Sequence, residues 1–374
     1  MVILSRDVLL AVVDKLMMAL DRSKKDSKKG GAADTLQSIR IILDNKLVNR
    51  SLILSASSRF ESAERRILDF QCDGNEPGFH IAISGSYLKS ILDNTPKGTT
   101  LSIHISDVHV IISDGRSSFR LTYLREDSLP PQKHFDPNLF TSFNPMAFVT
   151  DLARVYVPTW SKEDINSPYA GVIINQKHFV SCGQRGVYMN LIKNETLPVN
   201  CCHKITDVAA QKIISLFSKS TESGGFCDAA HHFALVSDDF FFKTLLAAGP
   251  VPEYKRVLPK TTRQMFTLDK KEMVTALKRV LILSDSGRIR LRIREGDIAL
   301  RSEGVHGKAE ESIPCQSNID CTVEINGALI LDALSRLRED SAAFSMDLDG
   351  PRTPIIIKEG GFLSAISPSS IRRG

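Results

Sequence analysis

Long apolar runs are missing from this chain of 374 residues. No segment approaches the roughly 18 consecutive apolar residues that a membrane-spanning helix needs, so no membrane association is expected. The opening residues, Met1-Val2-Ile3-Leu4-Ser5-Arg6-Asp7, lack a basic stretch followed by an apolar core and a small-residue cleavage site. A cytoplasmic location is the expectation. Cysteine is sparse and odd in number, seven in all, which argues against a disulfide framework. Cys201-Cys202-His203 and His231-His232 lack the spacing that lets two thiolates face one ion, so no metal is expected. No phosphate-cradling loop, dinucleotide fingerprint, zinc-binding His pair or nucleophile elbow occurs. Gly183-Gln184-Arg185-Gly186 has too few glycines to cradle a nucleotide. The adjacent acids Asp238-Asp239 and Glu310-Glu311 point to opposite faces if they lie on strands, which argues against a shared acid–base site. Neither an enzyme nor a cofactor is expected.

What is present is repetition. A short helix followed by strands recurs three times, beginning near Ser84, Thr206 and Ile325, at a spacing of about 120 residues, one domain length. A second helix opens each block. Asp7 to Leu20 carries Leu9, Val12, Val13, Leu16 and Leu20 at helical spacing. Pro145 to Val155 follows Asn144, a good N-cap before a proline at the first helical position. Asp269 to Val280 carries Met273, Val274, Leu277 and Val280. Pro-rich stretches at 128–133 and 250–260 suggest linkers, giving expected domains 1–135, 136–260 and 261–374. Alternating strands such as Arg288-Ile289-Arg290-Leu291-Arg292-Ile293-Arg294 suit antiparallel sheets with one wet face. The fold class is α+β.

The net charge is +5. Cations recur on the helices, at Lys89, Arg154, Lys212, Lys278, Arg279 and Arg336, and a basic segment carries Arg22, Lys24 and Lys25. The Lys, Ser and Gly content of residues 22–31 predicts poor order. Any one of these cations could be the solvated face of an amphipathic helix. Their repetition suggests a surface that attracts double-stranded DNA through phosphates without reading bases. No aromatic stacking platform or basic recognition helix appears, which argues against single-strand or base-specific binding.

Val251-Pro252-Glu253-Tyr254-Lys255-Arg256-Val257-Leu258-Pro259 resembles the F-P-D-Y-R-R-V-L-P segment of the bacterial DNA polymerase III beta subunit, the beta sliding clamp family. Ser113-Asp114-Gly115-Arg116-Ser117-Ser118-Phe119-Arg120-Leu121 is similar to that family's S-G-R-S-R-F-S-L, and Asn326 to Leu337 resembles N-V-S-Y-V-L-D-V-L-N-A-L. The resemblance implies three clamp-like domains, a head-to-tail homodimer forming a ring around duplex DNA, and tethering of a DNA polymerase and a clamp loader through a peptide pocket. The matching pocket positions are Tyr169, Ser181, Gly183, Gln184, Arg185, Pro252, Arg256, Val257, Asn326, Leu329, Ile356, Ile366, Ser367 and Pro368. Pro252, Val257 and Leu329 would equally pack a domain junction. For the dimer interface the resemblance implies Arg116 on one side and Ile282, Leu283, Glu310 and Glu311 on the other. The family's T-D-G-H-R stands here as Ser181-Cys182-Gly183-Gln184-Arg185, and its terminal M-P-M-R-L as Ser367-Pro368-Ser369-Ser370-Ile371. Serines thus replace methionines that flex to grip a peptide. A clamp-like paralogue that serves as an interaction hub without encircling DNA is the second reading. A third, an enzyme built on the Cys- and His-bearing middle block, gains nothing from the repeat.

Overall fold

A computed structural model describes residues 1–20, 37–44, 50–72, 77–129, 141–157, 170–183, 188–193, 202–220, 224–229, 231–237, 240–256, 258, 264–317, 320–339, 341–346 and 353–372. These residues form β1 (Val2–Ser5), α1 (Arg6–Leu16), β2 (Ser38–Asp44), β3 (Ser51–Ser57), β4 (Glu61–Ile67), β5 (Gln71–Cys72), β6 (Phe79–Ser84) and α2 (Gly85–Asn94). There follow β7 (Thr100–Ile105), β8 (His109–Ser113), β9 (Ser118–Thr122), β10 (Leu124–Arg125), β11 (Thr141–Phe143), α3 (Pro145–Val155), β12 (Val172–Asn175), β13 (His178–Gly183) and β14 (Tyr188–Lys193). Next are β15 (Cys202–Ile205), α4 (Asp207–Phe217), β16 (Gly224–Ala229), β17 (His232–Ser237), β18 (Phe240–Leu245), β19 (Gln264–Asp269) and α5 (Lys270–Leu281). The chain closes with β20 (Arg288–Arg294), β21 (Gly296–Gly304), β22 (Gly307–Ser317), β23 (Cys321–Asn326), α6 (Gly327–Ser335), β24 (Ser341–Met346), β25 (Ile355–Glu359), β26 (Phe362–Ile366) and β27 (Ser370–Arg372).

Short polar residues start the helices. Ser5 Oγ accepts from Asp7 N–H, Asp269 accepts from Glu272 N–H, and Asn326 Oδ1 accepts from Ala328 and Leu329 N–H. The helix expected over 7–20 ends at Leu16. Beyond it the chain turns, yet Ala19 and Leu20 stay buried, so the apolar spacing outlasts the helix. Gly171 carries φ +89°, and a Cβ there would run into Ile205 O, so the entry to β12 requires glycine.

Two compact units form, residues 1–146 with 215–246 and residues 147–214 with 247–374. The first unit holds a five-stranded sheet, β5-β1-β7-β8-β9, and a nine-stranded sheet, β10-β6-β2-β3-β4-β18-β17-β16-β11. In the second, a thirteen-stranded order runs β15-β12-β13-β14-β26-β25-β24-β19-β22-β21-β20-β23-β27. Each strand pairing between neighbours in these orders is antiparallel. The units cut through the middle of the sequence because strands pair across block joints. β4 pairs with β18, Phe242 opposite Ala63, and β14 pairs with β26, Leu191 opposite Leu363.

Those two pairings follow one rule. β4 and β14 are each the third strand after a block's opening helix. β18 and β26 are each the third strand after a block's second helix. The strands left over by this rule are β22 and β9. β9 pairs with β8 alone among the described residues. β22 pairs with β21 along its length but with β19 only at Gln316 and Ser317, so Gly307 to Cys315 has one open edge among the described residues.

Candidate functional site

The described residues of the expected peptide pocket all lie in the second unit. Tyr169, Gln184, Arg185 and Val257 fall outside the described residues. Strand parity sorts the others. Ser181 stands opposite Asn190, which stands opposite Ser364; Gly183 stands opposite Tyr188, which stands opposite Ile366. The intervening row runs Cys182, Met189, Ala365, Ile356. Successive residues on a strand point to opposite faces, so Ile356 and Ile366 cannot line the same groove.

On one face, Ile173, Val180, Cys182, Met189, Ile356 and Ala365 form an apolar cluster that takes in Tyr254. Val251 and Leu258 pack against it. Residues 251–256 and 258 thus cover this face, anchored by Tyr254, which is 4% exposed and whose hydroxyl lies 3.3 Å from Asn175 Nδ2. Pro252 on this segment is half-buried and Arg256 is exposed, ion-paired with Glu253. On the opposite face Ser181 Oγ donates to Val155 O at the end of α3, at 2.6 Å. Ser367 and Pro368 leave β26 half-buried, and Ser369 N–H donates to Glu324 O, two residues before the Asn326 cap of α6. That places the tail beside the first turn of α6, where Leu329 sits at 9% exposure. Ile356 and Ile366 are wholly buried and therefore support the surface rather than line it, a correction to their expected role. Of these positions Pro252, Arg256, Asn326, Ser367 and Pro368 keep exposure, while Leu329 is buried beside them. Tyr254 was missed as an anchor, although its place among linker prolines was the available signal.

The helix cations divide more sharply. Arg22, Lys24 and Lys25 fall outside the described residues. Lys89 joins α2 to α1 through Asp14 at 2.5 Å and also meets Asp93 at 3.2 Å. The hydrogen bond that Lys89 donates to Asp14 is the largest cause of its raised pKa. Lys212 is half-buried and engaged. Lys278 is exposed; Arg279, 68% exposed, pairs with Glu311 at 2.9 Å.

Arg154 and Arg336 do not face outward, which corrects their expected role as phosphate contacts. Arg154 is 14% exposed, bonds Glu359 at 2.5 Å and Arg336 O at 3.1 Å, and lies over the Phe362 ring. Arg336 donates to Arg154 O and Tyr156 O, both at 2.8 Å, and pairs with Asp332 at 3.0 Å. It satisfies carbonyls at the end of α3 that no later turn of helix could reach.

At the expected interface, Arg116 is exposed in the β8–β9 turn, where Asp114 Oδ1 accepts from Arg116 N–H and Ser117 N–H. Ile282 is 79% exposed and Leu283 half-buried. Glu310 already pairs with Arg301 at 2.5 Å, and Glu311 with Arg279. Val305, 88% exposed at the β21–β22 turn, was missed by sequence reasoning. Its N–H donates to Asp285 Oδ2 at 2.7 Å, which holds this turn against the 282–285 loop.

The thiols follow burial. Burial pushes Cys182 up to about 12; burial and then Asp320 push Cys321 up to about 11. Both stay protonated in the folded state while the unfolded thiols ionise near pH ~8.5. Their contribution to stability is fully present below that value and is lost as pH rises through it toward 11–12. Alkylation at pH 8, followed by mass spectrometry, is expected to label exposed Cys202 at least about 100-fold faster than Cys182 or Cys321. Equal rates would show that the sheet opens locally.

Residues 255–362 match the family model described as DNA polymerase III beta subunit, C-terminal domain. Over 355 residues the chain is 22% identical to a beta sliding clamp of Helicobacter pylori, covering 88% of this chain and 92% of that protein. A beta sliding clamp of Treponema pallidum is 30% identical over 118 residues, 29% of this chain and 32% of the other. The crystal structure of the DNA polymerase III subunit beta from Pseudomonas aeruginosa matches with a TM-score of 0.85 at 18% identity, covering 99% of this chain and all of that one. A DNA polymerase sliding clamp from Caulobacter crescentus gives 0.84 at 17% identity over 98% of both chains.

Proposed function

Because this chain is a divergent member of the beta sliding clamp family, we propose that it is itself a sliding clamp, a cytoplasmic processivity factor that encircles duplex DNA and tethers a polymerase. The carrying observation is the joint rule of the fold. Blocks 1–135, 136–260 and 261–374 act as three clamp domains, joined inside the chain by β4 with β18 and β14 with β26. The same rule leaves β22 and β9 to pair between two copies, antiparallel like the others. A heterologous contact of this kind closes into a ring when its rotation allows. The role is topological, with no chemical step. Lys278 and Arg279 supply sequence-independent attraction to phosphates, and the surface formed by Pro252, Arg256, Asn326, Leu329, Ser367 and Pro368 takes a partner's peptide, from polymerase or clamp loader.

The test is retention on circular nicked duplex DNA. A closed ring survives a high-salt wash and is released when the circle is cut; loss in salt from circular and linear DNA alike would reject encirclement. The second reading, an interaction hub that does not encircle DNA, is favoured by the inward turn of Arg154 and Arg336, and it predicts that second outcome.

Arg116→Glu should raise the dimer dissociation constant about tenfold, since it would set a carboxylate against Glu310 or Glu311 of the partner copy. Sedimentation equilibrium reads this directly; an unchanged constant removes Arg116 from the interface.

A further inference from the structure

Strand β20 carries arginine at every second position, Arg288, Arg290, Arg292 and Arg294, all exposed, while Ile289, Leu291 and Ile293 between them are buried. The apolar side packs toward α5 and α6, so the arginines stand on the sheet face away from those helices. Among the described residues none of the four has an ion pair through its side chain, whereas the neighbouring cations on this sheet do. Arg301 is held by Glu310 and Lys308 by Glu303. Asp297, opposite Arg294, accepts from Ser312 Oγ at 2.9 Å, and Glu324 stands opposite Arg290. Two small residues, Ala299 and Thr322, flank Arg292.

We propose that this arginine ladder binds the phosphodiester backbone of single-stranded DNA, at a site separate from the helix-borne cations. Like-charged neighbours along one strand cost stability; the cross-strand carboxylates Asp297 and Glu324 reach only the positions of Arg294 and Arg290, and a polyanion relieves the rest of that cost. The guanidiniums repeat every ~6.8 Å over a row of about 20 Å, comparable to successive phosphates on one strand. The row follows one strand across a sheet face. A flexible single strand can lie along it, whereas a strand of duplex winds away from a sheet face. Arginine also suits phosphate by its bidentate fork, and its guanidinium plane stacks on bases, which serves in place of the missing aromatics. An acidic peptide fits less well, because the positions flanking Arg292 are small and offer no apolar pocket for an anchoring side chain.

The test uses the full chain and a labelled 12-nucleotide oligothymidylate, followed by fluorescence anisotropy at several salt concentrations. R290Q/R292Q/R294Q should weaken binding at least tenfold. The slope of log affinity against log salt should fall from about −2.8 to about −0.7, at ~0.7 per phosphate contact. A control of equal charge change on exposed residues of the other unit, R59Q/R66Q/K97Q, should stay within about twofold of the unaltered chain. Unchanged affinity in the ladder variant, or equal loss in the control, overturns the proposal. So does tighter ladder-dependent binding of a 12-base-pair duplex, or of a polyglutamate peptide of matching charge. The ladder variant should still be retained on circular duplex, so the ladder and the clamp reading fail independently.

Discussion

Glu359→Ala is expected to destabilise the second unit by about 3–5 kcal/mol, the range for removing one partner of a buried ion pair. Glu359 is 7% exposed in its side chain. One carboxylate oxygen accepts from Arg154 at 2.5 Å; the other accepts from the backbone N–H of Arg338 and of Glu339, at 2.5 and 2.6 Å. Alanine strands two amides and leaves the guanidinium of Arg154 buried with only Arg336 O and the face of Phe362. In a unit of this size the loss corresponds to a fall in Tm of roughly 6–20 °C, readable by circular dichroism. Glu359→Gln keeps an acceptor and should fall between. The double variant Arg154→Ala, Glu359→Ala should cost less than the two single changes added, because no buried charge is left behind. A fall below about 1 °C for Glu359→Ala would show that the network contributes nothing to stability.

Ile282→Asp should raise the dimer dissociation constant about 100-fold, or some 2.7 kcal/mol at ~1.4 kcal/mol per tenfold. Ile282 and Val305 are among the most exposed large apolar residues described; Val305 lies in the turn that opens β22, and Asp285 ties that turn to the loop after Ile282. Aliphatic surface left in water at the end of an unpaired strand gains by being covered, and an aspartate placed in such a contact must shed its hydration without a partner. The monomer should not notice the change, since the side chain is 79% exposed. An unaltered melting temperature with a shifted sedimentation equilibrium is the expected pair of results. An unshifted equilibrium would move the interface away from this tip.

How much of this was legible in the sequence depended on range. Helix starts at Ser5, Asp269 and Asn326 are local, written in a cap residue and the apolar spacing after it. The alternation of β20 announced one wet face before any partner strand was known. The meeting of Arg154 with Arg336 was hidden, because a cation at a helix end looks solvated until an element 182 residues away presents a carbonyl. The split of Ile356 from Ile366 was hidden too. Their parity follows from the register between β25 and β26, which sets Ile356 opposite Ala365, and a shift of one residue would have reversed it. The motif at 251–259 carried a resemblance but not the reason for it, which is that Tyr254 anchors the residues that cover the sheet.

The three joints differ in one respect that their chemistry does not reveal. β4 with β18 and β14 with β26 lie on one covalent chain, so their strands meet intramolecularly whatever the protein concentration. β9 with β22, proposed to pair between copies, would have no such tether and would depend on protein concentration. Three seams of similar construction are therefore ranked by connectivity alone. In the proposed ring, a partner that opens it need not recognise a weak seam by its residues, because the covalent chain has already decided which seam yields first.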